Sequence, residues 1–159
     1  MEFKTTRQIA TLLLLAGVLA VGINLFHPRR IPWTQDWSNI VEAKAQKAGI
    51  RVIPLSLALQ IQQKNGAIFI DARPSDEFAG GHIPHAHSLP FQALDDHFEE
   101  IGTLIDTHKP LIVYCTNRDC DDALLLAIEL QAMGAENLQL YIDGFEVWKR
   151  YGEIEKGGR

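Results

Sequence analysis

Cysteine is almost absent from this chain: 159 residues contain two, Cys115 and Cys120. Two cysteines cannot build a disulfide scaffold, so the fold must rest on a hydrophobic core. A basic excess is also missing. Lysine and arginine total 15 against 20 acidic residues, for a formal net charge of −5. That argues against a nucleic-acid partner, which needs a basic face. Internal repeats and low-complexity tracts are lacking, which excludes a repeat architecture. What remains is a globular composition, 47% hydrophobic and 22% charged. The length and composition suit one core and one appendage.

Long apolar runs are scarce too, with one exception. Residues 9 to 26, IATLLLLAGVLAVGINLF, contain no charge. In a helix such a run rises about 27 Å, close to the hydrocarbon thickness of a bilayer. A cleaved signal peptide needs small residues at its cleavage site, yet the run continues past both Ala16 and Ala20. A core helix is rarely apolar all round at this length. The run therefore predicts a single-pass transmembrane helix or signal anchor after a tail of residues 1 to 8. Lys4 and Arg7 precede it, and Arg29 and Arg30 follow. The positive-inside rule has little to act on here. A signal-anchor start, and a compartment in which a disulfide persists, place the soluble part outside the cytoplasm.

Residues 27 to 49 form a linker with a short helix. In HPRRIPWTQDW the prolines break the preceding helix. Trp33 and Trp37 suit a headgroup region, or else pack on the soluble domain. SNIVEAKAQKA, at 38 to 48, is a helix with Ser38 or Asn39 as N-cap and Gly49 as stop. From residue 50 to 155 strands and helices alternate. The predicted strands are IRVI (50–53), AIFI (67–70), LIVY (111–114) and LQLYI (138–142). A helix over 56–64 carries Ser56 as its cap. Leu94, Phe98 and Ile101 mark a helix face, and ALLLAIELQAM is a helix stopped by Gly134. Its Leu124, Leu125, Leu126, Ile128 and Leu130 are expected in the core. DGFEVWKRYG closes the domain as a turn and helix. This pattern predicts an α/β fold with a parallel sheet covered by helices on both faces.

Sites in such folds form at the carboxyl ends of strands. Three ends are polar here: Asp71-Ala72-Arg73, Cys115, and Asp143-Gly144. Cys115 opens a loop, CTNRDC, between a strand and a helix. A helix start offers free N–H groups and a favourable dipole to a thiolate. Inward-turned loop N–H groups would add an anion nest around Cys115. Thr116, Asn117, Arg118 and Asp119 line the loop, with Arg118 as the cation for an anionic substrate. Asp121 is expected to cap the following helix. A buried, inert cysteine is the alternative reading of Cys115.

Residues 70 to 90, IDARPSDEFAGGHIPHAHSLP, resemble the first signature of the rhodanese family through Asp71, Arg73, Glu77, Phe78, Gly81, His82, Ile83, Pro84, Ala86 and Pro90. VYC at 113 to 115 resembles its strand and nucleophilic cysteine. Gly144 and Trp148 resemble its closing element. The resemblance covers roughly residues 50 to 153. It implies a rhodanese-like domain in which Cys115 takes a sulfane sulfur as a persulfide and passes it to a thiol or other nucleophile. Residues 116 to 120 then form the cradle, and no dissociable cofactor is needed. The implied partners are a sulfur donor and a thiol acceptor.

The sequence departs from the family at several points. Glycines are absent from the loop, and its sixth position is Cys120. His85 and Ser88 replace a glycine and an asparagine, and Asp143 replaces one of two glycines. These changes make thiosulfate a doubtful substrate. They also open a second chemistry, in which Cys120 resolves Cys115 as a disulfide. Whether the two sulfurs meet is left open at this point.

Two other chemistries fit the sequence poorly. His82, His85, His87 and His97 are too weakly patterned for a metal site, and none is predicted. A cysteine phosphatase needs an arginine six positions after its nucleophile, where this chain has Asp121. The expected function is sulfur transfer, with Cys115 and Cys120 as catalytic candidates. Thr116, Asn117, Arg118, Asp119, Asp71 and Arg73 are the substrate-binding candidates. The alternatives are a membrane-anchored thiol–disulfide redox protein and a non-enzymatic binding module.

Overall fold

A computed structural model of the chain describes residues 2–27 and 40–157. The chain separates into two compact units, Met1–Gln35 and Asp36–Arg159. The expectations for Trp33, Trp37 and the Ser38 or Asn39 cap lie outside the described residues.

The first unit is helix α1, Glu2–Phe26. Its segment Thr6–Phe26, 21 residues, is long and apolar enough to cross a membrane. Leu12, Leu13, Leu14 and Leu19 stand exposed along it. An exposed leucine row is costly in water and suited to lipid, and it supports membrane association.

The second unit runs through α2 (Ile40–Lys47), β1 (Arg51–Ile53), α3 (Leu55–Gln63), β2 (Ile68–Asp71), α4 (Ser75–Gly80) and β3 (His87–Ser88). A 3-10 helix, Phe91–His97, leads into α5 (Phe98–Asp106), β4 (Leu111–Tyr114), α6 (Asp122–Ala132), β5 (Leu138–Tyr141) and α7 (Gly144–Trp148). The five strands form one parallel sheet in the order β1-β5-β4-β2-β3. β4 is central and buried on both faces, as its unbroken apolar LIVY requires.

Period-two alternation sends the β4 side chains to two cores. Val113 joins Ile70 and Leu140 beneath α2, α5 and α6, with Ala45, Ile101, Leu124 and Leu130. Ile112 and Tyr114 join Phe69, Ala58, Phe145 and Trp148 beneath α3 and α7. Trp148 is fully buried, and its indole N–H donates to the Glu153 carbonyl at 2.8 Å.

Several expectations change. Helix α3 begins at Leu55, directly after Pro54, and Ser56 provides no cap. Instead the Leu55 N–H donates to the Asp143 carboxylate at 2.9 Å, 88 residues away in sequence. Phe98 is 56% exposed, because the chain shifts from 3-10 to α geometry there and turns the apolar face. Ile101 and Leu104 carry the α5 burial. Leu125 and Ile128 are 40% and 37% exposed. The buried stripe of α6 is Ala123, Leu124, Leu126, Ala127 and Leu130, and positions 125 and 128 fall on its outer side.

His85 has φ +63°, a left-handed conformation that suits glycine. Its N–H donates to the Glu155 carboxylate at 2.9 Å, which holds the turn. That hydrogen bond is the main reason the Glu155 carboxyl titrates below the usual range.

Candidate active site

The carboxyl ends of β2, β4 and β5 meet at one rim, and Cys115 follows β4 directly. Cys115 is 3% exposed and packs with Ala123 and Leu124. The loop returns at Cys120, and the two cysteines are joined as a disulfide with Cα atoms 6.2 Å apart. No free cysteine remains.

The backbone around Cys115 is held from α7. The Phe145 N–H donates to the Cys115 carbonyl at 2.8 Å, and the Glu146 N–H to the Thr116 carbonyl at 2.9 Å. Gly144, at φ +74°, makes this approach sterically feasible. Within the loop, the Cys120 N–H turns to the Asn117 carbonyl at 3.3 Å. The Asp119 N–H turns to Asn117 Oδ1 at 3.0 Å. Those two donors are therefore engaged locally and do not contribute to an anion nest.

Arg118 is likewise engaged. Its Nε donates to Asp143 Oδ1 at 2.9 Å and its terminal nitrogen lies 2.7 Å from the same oxygen. Glu42 of α2 lies 3.8 Å away on the other side. Arg118, expected as the cation for an anionic substrate, is thus ion-paired with Asp143 and lies near Glu42. Asp121 sits at the N-cap position of α6, but its side chain makes no capping hydrogen bond. Its carboxylate binds Lys44 Nζ at 3.0 Å, because α2 brings an ammonium within reach. Glu42, Lys44 and Asp143 thus frame the loop. Their pairing spans 25 to 77 residues, which local sequence reading does not reveal.

Asp71 and Arg73 lie behind the loop as a buried pair. Arg73 donates to Asp71 through Nε at 2.9 Å and through a terminal nitrogen at 2.6 Å. A further donation reaches the Gly81 carbonyl at 2.8 Å, and the guanidinium lies 4.1 Å from the Phe145 ring centre. Burial opposes the Arg73 charge, but the Asp71 carboxylate outweighs it and raises the pKa. From this pair a polar path runs outward. Glu77 lies 3.5 Å from Arg73, and the Thr116 hydroxyl donates to Glu77 at 3.4 Å. Thr116 Oγ1 is 4.0 Å from Cys115 Sγ. Glu77 was visible in the sequence only as a motif position.

Tyr114, next to Cys115, is fully buried, and its hydroxyl accepts the Ile83 N–H at 3.2 Å. Burial, with the Asp71 charge second, pushes its phenol well above the usual tyrosine range. Above pH ~10 the unfolded chain ionises this group and the native chain does not. Stability is then fully present below that pH and falls as pH rises, by up to about 1.4 kcal/mol per pH unit from this residue. Tyr114→Phe is expected to flatten that alkaline fall. Urea midpoints of both proteins at pH 8 and pH 11 test it. An equal alkaline loss in both would refute it.

The sulfurs of Cys115 and Cys120 and an oxygen of Asp122 lie within 4.8 Å of one another. Metal ligation needs thiolates, and the bonded sulfurs offer none.

A buried parallel sheet with a cysteine loop following its central strand defines an α/β protein with a sulfur-bearing rim. A family model described as a rhodanese-like domain matches residues 55–151. The chain belongs to the rhodanese-like family. It is 29% identical over 97 residues to the thiosulfate sulfurtransferase GlpE of Pseudomonas putida, covering 61% of this chain and 83% of that one. The protein of the same name from Coxiella burnetii is 28% identical over 94 residues, covering 59% and 82%. Among solved structures, the BH2092 protein of Bacillus halodurans has a TM-score of 0.58 at 24% identity, covering 74% of this chain and 85% of that one. Thiosulfate sulfurtransferase from Pseudomonas aeruginosa also scores 0.58, at 19% identity, covering 77% and 23%. At these identities the structural likeness is one of fold.

The expectation of sulfur transfer through a Cys115 persulfide is overturned. A persulfide forms on a free thiolate, and Cys115 Sγ is bonded to Cys120 Sγ. The pair has the arrangement of a structural or redox cystine.

Proposed function

We propose that this protein is a membrane-anchored thiol–disulfide redox protein whose working group is the Cys115–Cys120 pair. The observation that carries this reading is the disulfide itself. It joins the chain's two cysteines across one short loop at the rim where sheets of this class place their chemistry. A purely structural cross-link stabilises mainly by closing a long loop, and a separation of five residues closes a short one. The apolar helix α1 supports attachment to a membrane, with the domain on the oxidising side, where such a bond persists. The exchange partner is a protein or small-molecule dithiol. Asp71 and Arg73 act as positioning residues that hold the rim behind the loop.

The test is a redox titration of the full chain in detergent, read by intact mass after alkylation. One reversible two-electron transition with a change of two hydrogens is expected. Cys115→Ser and Cys120→Ser should each abolish it. Incubation of the oxidised chain with thiosulfate should add no sulfur. A midpoint below about −300 mV would identify an inert structural bond and overturn the reading.

A further inference from the structure

We infer that Cys120 Sγ, not Cys115 Sγ, is the atom that a partner thiolate attacks, and that this thiol lies on a cationic segment. The inference rests on the redox reading above and adds which sulfur exchanges and with what chemistry. Thiol–disulfide exchange requires the incoming sulfur to approach along the S–S axis, opposite the leaving sulfur. Approach to Cys115 would pass through the core, where this residue is 3% exposed among Ala123 and Leu124. Cys120 is partly exposed at the start of α6. Although Cys120 also packs against this core, it is the more accessible of the two bonded cysteines.

The partner thiolate forms a bond to Cys120 Sγ while the Cys120–Cys115 bond breaks. The bonding pair leaves on Cys115 Sγ as a thiolate. That thiolate sits near the Thr116 hydroxyl, 4.0 Å away, which is free to turn its proton from Glu77 to sulfur. A second thiolate of the partner then attacks the partner's own sulfur and releases Cys120. The partner is oxidised to a disulfide, and this chain is reduced to a dithiol.

The charge around Cys120 selects the partner. Arg118 is neutralised by Asp143 and Lys44 by Asp121. Among the described residues, the side chains of Asp119 and Asp122 have no ion pair or hydrogen bond, and they flank Cys120 in sequence. Clefts open beside them. One of about 220 Å³ has Asp122 in a wall with Pro74 and Pro90, and one of about 390 Å³ is lined by Asp119 and Asp121 with Ile40 and the paired Lys44. A bare thiolate nearing Cys120 past these unpaired carboxylates is repelled. A thiol carried with positive charge is drawn in.

The experiment uses the oxidised full chain in detergent. Cysteamine, a cationic thiol, and 2-mercaptoethanesulfonate, an anionic one, are offered at equal thiolate concentration and low salt. Reactions are quenched in acid and mapped by peptide mass. The adduct is expected on Cys120, with cysteamine favoured about fivefold beyond its ratio on a neutral disulfide. That preference should shrink in 1 M salt, roughly a 3 Å screening length, and in Asp119→Asn with Asp122→Asn.

Because the freed Cys115 thiolate can reclose the ring, single-cysteine variants are labelled with cystamine in parallel. Cys120 in Cys115→Ser should label at least about tenfold faster than Cys115 in Cys120→Ser. Adducts on Cys115, equal labelling, or no cationic preference would overturn the inference. The redox reading would survive those results if the disulfide still cycles, and would fail by itself if it does not.

Discussion

Asp71→Ala is expected to destabilise the domain by about 3–5 kcal/mol, the cost of stranding a buried charge. Its carboxylate is 0% exposed and accepts from Arg73 through the backbone N–H at 3.0 Å, Nε at 2.9 and 3.1 Å, and a terminal nitrogen at 2.6 Å. Without it the guanidinium keeps the Gly81 carbonyl at 2.8 Å and a looser contact with Glu77 at 3.5 Å. The partial replacement is too weak to hold a cation in a 3% exposed position. Asp71→Ala combined with Arg73→Met removes both charges and should recover a large part of the loss. Urea unfolding of the full chain in detergent, followed by tryptophan fluorescence, measures both. If the double variant were no better than Asp71→Ala alone, packing rather than charge would be the cause.

The second large effect is at Gly144. A Cβ there would lie 2.6 Å from Asn117 N, 2.6 Å from Thr116 O and 2.7 Å from Asn117 Cα. All three are backbone atoms, so no rotamer change relieves the clash. The residue is also at φ +74°, where a side chain adds about 1–2 kcal/mol of strain. Gly144→Ala should therefore cost about 2–5 kcal/mol in all. It should also push the cysteine loop away from α7, breaking the bonds from Phe145 to Cys115 and from Glu146 to Thr116. The direct readout is the rate at which dithiothreitol opens the disulfide, expected to rise at least about tenfold as Cys115 gains access. Gly80→Ala, where a Cβ meets nothing within 4 Å, serves as the control. Unchanged reduction in Gly144→Ala would mean that α7 does not shape the loop.

Four of the five strands were legible because each is a short apolar run between breakers; β3, the polar pair His87–Ser88, carries no such signal. LIVY at 111–114 is a strand over those same residues. The rim was legible for a related reason, since parallel sheets collect polar chemistry at strand ends. What local reading misjudged was the pairing of charges. Arg118 looks free in TNRDC because Asp143 comes 25 residues later and Glu42 lies far upstream. Asp121 looks like a cap because Lys44 is 77 residues away. Asp143 reads as a lost glycine, yet it holds both Arg118 and the first N–H of α3. The disulfide was open from spacing alone, because five residues permit closure without requiring it. Periodicity placed Leu125 and Phe98 inward, and only the register of the finished helices turns them out.

The strand order also sets a timetable for synthesis. β1 is the first strand to leave the ribosome, yet it sits at the sheet edge and pairs with β5 alone. Its partner β5 spans Leu138–Tyr141, the last strand of the sheet. The nascent chain would thus wait through some ninety residues with β1 unpaired, while β2, β3 and β4 can join one another. At roughly 5–20 residues per second that interval lasts several seconds or more. The two cysteines emerge within it, before the sheet is complete. An oxidant met during that window would find Cys115 in a half-built domain, so the Cys115–Cys120 bond can be made while the protein is still being born.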